Sequence, residues 1–300
     1  MRHYSDKPLE ISQLLASLKN GGLLFSDESK ASAILQHVSY FRLKSYLIPL
    51  MCDKERHVFK KGASFEQAFE LYRFDSLLRR LISENIENIE ISLRTQMAYI
   101  LSKEMGIYWF SDESNFITSA THDDLLRNLE KELNRCDDEQ ILRFKMLYDN
   151  PFPPAWMTME VSTFGTLSMF FKNLRPGLPK REIASSYGIN DVVFSSWLHC
   201  LVYVRNICAH HGRLWNKEMR IQPLFPRRTH YPFVSPGTSR KRVYYVLCII
   251  QYLLATIVPS SDFLTKLESL LSDFPDVDPT AMGFPRGWEE EPLWCSSTVS

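Results

Sequence analysis

The 300-residue sequence predicts an all-α fold, and three observations support that prediction. Apolar residues recur at helical spacing through most of the chain, whereas the alternating pattern that is typical of strands is scarce. Residues 65–101 contain neither Gly nor Pro, which allows one helix of about 35 residues or two helices with a slight break. Because a helical bundle accommodates such a long element, we expect a bundle with an N-terminal helical extension and an irregular C-terminal tail.

The N-terminal helical extension is predicted over residues 1–60. Its first helix follows from the apolar spacing of residues 11–18, and the pair Gly21-Gly22 provides a C-terminal signal. Apolar residues recur at helical spacing again through residues 31–46, which predicts a single helix over that range as the second of the extension.

The helical bundle is predicted over residues 61–272. After the long helix at its start, a second helix is expected from about His122 to Asp149, where the prolines of the DNPFPPAW turn interrupt it. Asp191 is expected to cap the helix that leads into residues 204–216. Further helices are expected at residues 158–174, 180–187, 239–258 and 260–272, with a Pro-rich irregular segment at residues 217–238.

The C-terminal tail, residues 273–300, has several prolines and little periodicity, which predicts an extended strap or a loose terminus. The sequence shows no internal repeat, no low-complexity tract and no clear linker. We therefore expect residues 1–300 to form a single domain.

Charge and cysteine usage limit the classes of function. Lys plus Arg and Asp plus Glu both number 35, so the protein has no global field and any polyanion needs a local patch. The six cysteines are scattered without a C-x-x-C pair, which favours reduced thiols in a cytoplasmic protein over a zinc ribbon or a disulfide framework.

Neither a secretory leader nor a membrane span is expected. The start, MRHYSDKPLE, has no apolar region of the kind that signal peptides carry. The most apolar run, residues 243–258, is too short for a convincing span and follows three basic residues, Arg240 to Arg242. We expect it to be a buried helix.

The segment VRNICAHHGRLWN, residues 204–216, concentrates the polar groups that chemistry needs. On a helical projection, Arg205 and His211 lie at the two borders of a polar face, and Asn206 and His210 are spaced so that their side chains can touch. Gly212 is expected to end the helix. The core side is predicted to carry Trp197, Leu201, Val204 and Cys208, and the polar face His199, Tyr203, Asn206 and His210.

Arg205 followed by four residues and His210 resembles the R-x4-6-H signature of the HEPN superfamily, and RNICAHHGRLWN resembles its Abi-like (abortive-infection) branch. The resemblance extends over most of residues 7–225. It is carried by four blocks in the family's order, namely YFRLKSYLIP, YRFDSLLRRLISENIENIEISLRTQMAY, PPAWMTMEVSTFGTLSMFFKNL and WLHCLVYVRNICAHHGRLWN.

The resemblance implies a HEPN-type helical bundle, commonly dimeric, whose active members cleave RNA without a metal ion or other cofactor. It implies His210 as acid or base in the attack of a ribose 2′-hydroxyl, since the imidazole group titrates near neutrality. Arg205 would stabilise the charged phosphate through its planar donor fork. Asn206 would orient His210 or donate to a phosphate oxygen.

Several alternatives stay open for the supporting residues. His211 also falls within the superfamily spacing and competes with His210 for the essential role. Arg213 either adds a second phosphate contact or, like Trp215, holds the loop against the bundle. Glu90 and Arg94 form an intrahelical ion pair or brace the pair Arg205 and His210.

A zinc site is not expected at this segment. On one helix His210 points about 100° or more away from both Cys208 and His211, so the three side chains cannot converge on one ion.

The resemblance therefore suggests a cytoplasmic, metal-independent endoribonuclease that arrests growth as an effector of anti-phage defence. Its expected partners are an RNA substrate and a second copy of the chain, with a noncoding RNA or a protein as inhibitor. The alternative is a non-catalytic HEPN-type protein that uses the same face for RNA binding or dimerisation.

Overall fold

A computed structural model describes residues 9–295, so the first eight residues of the N-terminal extension and the last five of the tail lie outside the described part. The described chain is mostly helical with one small hairpin, which confirms the all-α prediction. It divides into two compact units, namely residues 9–78 with Leu270–Val277, and Arg79–Ser269 with residues 278–295.

The first unit contains three short helices, a hairpin and the start of the long helix. Helix α1 ends at the predicted glycine pair, with Gly21 as its C-cap. The antiparallel hairpin was not predicted, because strands of three and two residues are too short to show alternation. The elements are α1 (Ile11–Asn20), α2 (Glu28–His37), α3 (Tyr40–Leu47), a 3-10 helix (Ile48–Leu50), β1 (Met51–Asp53), β2 (Val58–Phe59) and the first part of α4 (Phe65–Gln96).

The single helix predicted over residues 31–46 is wrong. The backbone of Val38 is extended, with φ −117° and ψ 102°, and it separates α2 from α3. Ser39 then caps α3, because its hydroxyl accepts a hydrogen bond from the N–H of Arg42.

The second unit contains the remaining helices, and α13 runs on from it into the first unit. A π-helix, Met97–Leu101, continues α4, so the long predicted helix is confirmed with one irregular turn near its end. The other elements are α5 (Ser102–Met105), α6 (Ser119–Arg135), α7 (Glu139–Leu147), α8 (Ala155–Thr158), α9 (Phe164–Asn173), α10 (Leu178–Ser186), α11 (Asp191–Ala209), α12 (Val243–Ile257), α13 (Phe263–Asp273) and the 3-10 helices Trp109–Ser111, Glu113–Asn115, Pro279–Met282 and Trp288–Glu290.

The predicted cap of α11 is wrong, because the side chain of Asn190, and not that of Asp191, accepts the N–H of Val193. Two predicted helix boundaries in this unit are wrong as well. The helix expected from His122 to Asp149 is interrupted at Cys136, and the carboxylate of Asp138 caps α7 by accepting two backbone N–H groups. The helix expected from residue 158 begins only at Phe164, after Thr163 has capped it. In both places a capping side chain starts a new helix without any Gly or Pro to mark the break.

Helix α11 lies in the core of the second unit and contacts α9, α10 and α12. Eight of its 19 residues are buried. In the described part of the chain it is the one helix long and apolar enough to cross a membrane, but a core helix passes the same test. Helix α12 has 11 buried residues, which confirms that the apolar run 243–258 is a buried helix.

The described part of the tail is a packed strap. Its rings surround Tyr244 of α12, with centroid distances of 4.5 Å to Phe284, 6.4 Å to Trp288 and 6.2 Å to Trp294. The indole N–H of Trp294 also donates to the Tyr244 hydroxyl at 3.0 Å. The strap alternative is therefore the correct one as far as residue 295.

Candidate functional site

The carboxyl end of α11 has the hydrogen-bond pattern of a Schellman motif. The N–H of His211 donates to the Cys208 carbonyl at 3.0 Å, and the N–H of Gly212 donates to the Ile207 carbonyl at 2.7 Å. Ala209 is thus the last helical residue, and His210 is the C-cap with φ −89° and ψ 12°. The two histidines therefore project from a defined helix end, which the interior of α11 holds in place.

His211 occupies the left-handed position of this motif, with φ +55°. That position usually takes glycine, because a left-handed residue with a Cβ costs about 1–2 kcal/mol. Gly212 was expected to end the helix, but the left-handed residue lies one position earlier. Gly212 instead permits a close approach, since a Cβ there would lie 3.0 Å from Ile207 Cγ2 and 3.3 Å from the Ile207 carbonyl oxygen.

The predicted division of α11 into two faces is confirmed. On the polar face, Asn206 and His210 are exposed, as is Arg205 at its border. Each of these three side chains is without a hydrogen bond or an ion pair to any residue between 9 and 295. The predicted side-chain contact between Asn206 and His210 is not formed, and the two residues are joined by a backbone bond of 3.0 Å. The core side buries Trp197, Leu201, Val204 and Cys208, while His199 is exposed and Tyr203 half-buried.

The loop after α11 is fixed to the protein by buried side chains and by hydrogen bonds from two arginines. Leu214 and Trp215 are buried, which agrees with the interpretation of Trp215 as the residue that holds the loop on the bundle. Arg79 of α4 is only 5% exposed, and its Nη1 donates to the Gly212 carbonyl oxygen at 3.3 Å. Arg242 Nη1 donates to Asn216 Oδ1 at 3.2 Å further along the loop. The His210–Gly212 turn is thus supported by a buried guanidinium group.

Arg79 was not among the predicted site residues. The signal that marks it is its place on the apolar side of α4, three residues before Ile82 and seven before Ile86, which are both buried. A charged residue at such a position is expected to have a buried partner.

Glu90 and Arg94 form the intrahelical ion pair, with 3.0 Å between Oε1 and Nη2. Arg94 also donates to the carbonyl oxygens of Met159 at 2.8 Å and Ser162 at 3.1 Å. These contacts brace the segment between α8 and α9. In the described structure neither residue is hydrogen-bonded or ion-paired to Arg205 or His210.

The remaining candidates occupy intermediate positions. Arg213 is half-buried and His211 is exposed, and each of them interacts with another group of the protein. Cys208 points into the core while both histidines point outward. Over the described residues, no three His, Cys, Asp or Glu side chains are grouped so that they could hold a metal ion.

A family model described as Abi-like protein matches residues 33–216, which is more than half of the 300-residue chain. The chain belongs to the Abi-like protein family. Membership suggests a role in abortive infection, a defence against phage. The matched part of the Abi-like chain contains both Arg205 and His210 and ends directly after the loop. The chain has no match among curated proteins and none among solved structures.

The charges of the Abi-like chain are strongly segregated although its net charge is zero. Residues 192–261, here called the cation-rich segment, contain nine Lys and Arg residues and a single acidic residue, Glu218. The rest of the chain contains 26 basic and 34 acidic residues, because the totals are 35 of each. The cation-rich segment contains most of α11 and the loop that follows it, so the excess of positive charge belongs to the same stretch of sequence as the polar face.

Proposed function

We propose that this Abi-like protein is a metal-independent endoribonuclease of HEPN type that acts in abortive infection, with Arg205 and His210 at the reacting phosphate. The observation that carries the proposal is the set of exposed Arg205, Asn206 and His210 side chains, which have no partner among the described residues. They stand on a helix end that a Schellman motif and the buried Arg79 hold in place. Polar groups held on a rigid element are preorganised for a ligand.

The residue types fit one reaction. The imidazole of His210 accepts the proton of a ribose 2′-hydroxyl while that oxygen attacks the adjacent phosphorus. The bond from phosphorus to the 5′-oxygen then breaks, and this oxygen takes up a proton. Arg205 stabilises the charge that develops on the phosphate through two parallel N–H bonds. Asn206 donates to a phosphate oxygen or orients His210.

His211 is the competitor for the role of acid or base. Its left-handed backbone costs stability that a glycine would recover, and strained residues of this kind cluster at functional sites. We assign the role to His210 because its side chain has no partner among the described residues. His211, in contrast, already interacts with another group of the protein.

A symmetric dimer suits the positions of the two main residues. Arg205 and His210 are five positions apart, which is about 140° around an ideal helix, so one helix end surrounds a phosphate poorly. A second copy, with its polar face against the first, would complete the site from the other side.

The cysteines support a cytoplasmic location. None of the six forms a disulfide in the described structure, and burial raises the pKa of Cys200 to about 12, which makes its thiol unreactive. Unpaired thiols are typical of a reducing compartment.

A non-catalytic RNA-binding protein is the second candidate function, and the cation-rich segment favours it. Nine basic residues against one acidic residue would hold RNA whether or not the RNA is cut. In that case the same face would bind a noncoding RNA or form the dimer interface. For the catalytic form, a noncoding RNA or a protein would act as an inhibitor.

The two candidates separate on substitution of His210. Wild type, His210→Ala and a control, His37→Ala, would be expressed in parallel while growth and total RNA integrity are followed. His37 is an exposed histidine in α2, outside the proposed site. We expect wild type and His37→Ala to arrest growth and degrade RNA, and His210→Ala to do neither. Arrest and RNA loss that survive in His210→Ala would contradict the proposed catalysis.

A further inference from the structure

An open groove lies at the opposite end of α11 from His210. It has a volume of about 730 Å³ and is lined by Arg227, Arg228 and His230 together with residues that precede α11. A second groove of about 590 Å³ shares Arg227 with it and adds Arg240. Neither lining contains a carboxylate. We call the two together the Arg227 groove.

The wall of the Arg227 groove is built from a tight set of hydrogen bonds. The N–H of His230 donates to the Gly188 carbonyl oxygen at 2.9 Å and to the Tyr252 hydroxyl at 3.1 Å, and that hydroxyl donates to the same carbonyl at 3.0 Å. Gly188 has φ +69°, and a Cβ there would lie 2.6 Å from His230 Cβ. The loop that carries the arginines is therefore anchored to α12 and to the turn before α11.

The cations of the Arg227 groove are available to a ligand. Arg227 and Arg228 are exposed, and each lacks an ion pair or hydrogen bond to the described residues. Arg240 uses its Nη1 to donate to the Pro223 carbonyl oxygen at 3.3 Å, which leaves its other N–H groups for a further acceptor. Asp191, which follows the lining residue Asn190 in sequence, lines neither groove.

We infer that the Arg227 groove is a second phosphate-binding site, which holds the backbone of the RNA strand beyond the cleavage site. Arginine forks match phosphate oxygens, and contacts of this kind position a nucleic acid without reading its sequence. The 19 residues of α11 separate the groove from His210 by about 28 Å, so only a strand that extends along the helix reaches both ends. The identification of the polyanion as RNA rests on the proposed function.

Salt dependence of binding tests the inference. The ligand is a single-stranded RNA of about 16 nucleotides, at the upper end of typical single-strand site sizes. Binding is measured in a His210→Ala background so that the RNA stays intact, and Arg227→Gln with Arg228→Gln is added. The control adds Arg127→Gln with Arg143→Gln, which removes two exposed arginines from α6 and α7.

We expect the slope of log K against log salt to fall in magnitude by about 1.4 in the groove variant, since each phosphate contact on a single strand contributes about 0.7. The control pair should leave the slope unchanged. The double substitution Arg227→Lys with Arg228→Lys should keep the slope, because it keeps both charges. An unchanged slope in the groove variant, or an equal loss in the control pair, would overturn the inference.

Failure of this inference is distinguishable from failure of the proposed function. If wild type cuts RNA and the groove variant binds with an unchanged slope, the groove is not a binding site and the catalytic proposal stands. If wild type does not cut RNA but binding depends on the groove arginines as expected, the groove stands and the catalytic proposal fails.

Discussion

From the left-handed conformation of His211 we predict that glycine is more stabilising than alanine at this position, which is the reverse of their usual order in helices. His211→Ala and His211→Gly both remove the imidazole and its interactions, so the difference between them comes from the backbone alone. A Cβ at φ +55° costs about 1–2 kcal/mol, and the greater freedom of glycine in the unfolded chain offsets about 0.5–1 kcal/mol of that. We expect the glycine variant to be the more stable by roughly 0.7 kcal/mol.

Position 206 provides the matched control. Asn206 is exposed, has no side-chain partner among the described residues and lies inside α11, where its carbonyl accepts the N–H of His210. In a helix interior, alanine is more stable than glycine by about 1 kcal/mol. The order of the two residues should therefore be reversed between positions 206 and 211.

Thermal unfolding of the four variants measures both differences. The second unit, which contains α11, is in the range of 150–250 residues for which 1 kcal/mol shifts the Tm by about 2–4 °C, so His211→Gly should melt about 2 °C above His211→Ala. Asn206→Gly should melt about 2–4 °C below Asn206→Ala. A His211→Ala variant that melts at or above His211→Gly would show that the helix ends differently. The placement of His210 at the exposed C-cap would then be wrong.

Three further predictions concern the site. Arg205→Lys should impair cleavage nearly as much as Arg205→Ala while stability changes little, because the ammonium group keeps the charge but loses the fork; cleavage near the wild-type rate would reduce Arg205 to a diffuse electrostatic contact. Arg79→Met should lower the free energy of unfolding by about 1.5–3 kcal/mol, because it removes a buried hydrogen bond from a charged group to Gly212. Urea unfolding measures this difference, and a loss below about 0.5 kcal/mol would mean that the bond contributes little. Sedimentation at micromolar concentration should show a dimer, and a fully active monomer would rule out the shared site.

Much of the fold followed from apolar periodicity. The two faces of α11 were predictable because Trp197, Leu201 and Val204 recur at the helical period and the polar residues fall between them. The breaks at Val38 and Cys136 were not, because the apolar spacing continues across them and neither Gly nor Pro lies at the break. At each break one helix ends and the next begins close by, with the side chain of Ser39 capping α3 and that of Asp138 capping α7.

The candidate site was predictable in composition but not in detail. Glycine is the usual left-handed residue, so the sequence pointed to Gly212 while the backbone uses His211. The bond from Arg79 to Gly212 joins residues 133 positions apart, and no local pattern reveals a contact of that range. The cation-rich segment is visible in the sequence, but the zero net charge conceals it until the charges are counted by segment.

The ends of the RNA products test the proposed chemistry most directly. Purified wild type in excess chelator should cut single-stranded RNA and leave a 2′,3′-cyclic phosphate or 3′-phosphate on one product and a 5′-hydroxyl on the other. RNA with a 2′-deoxy substitution at the cut site should stay intact. His210→Ala should be slower by about 10²-fold or more, and His211→Ala should lose less. Cleavage that stops with chelator and leaves 5′-phosphate ends would contradict the mechanism, and a His211→Ala variant slower than His210→Ala would move the catalytic role to His211.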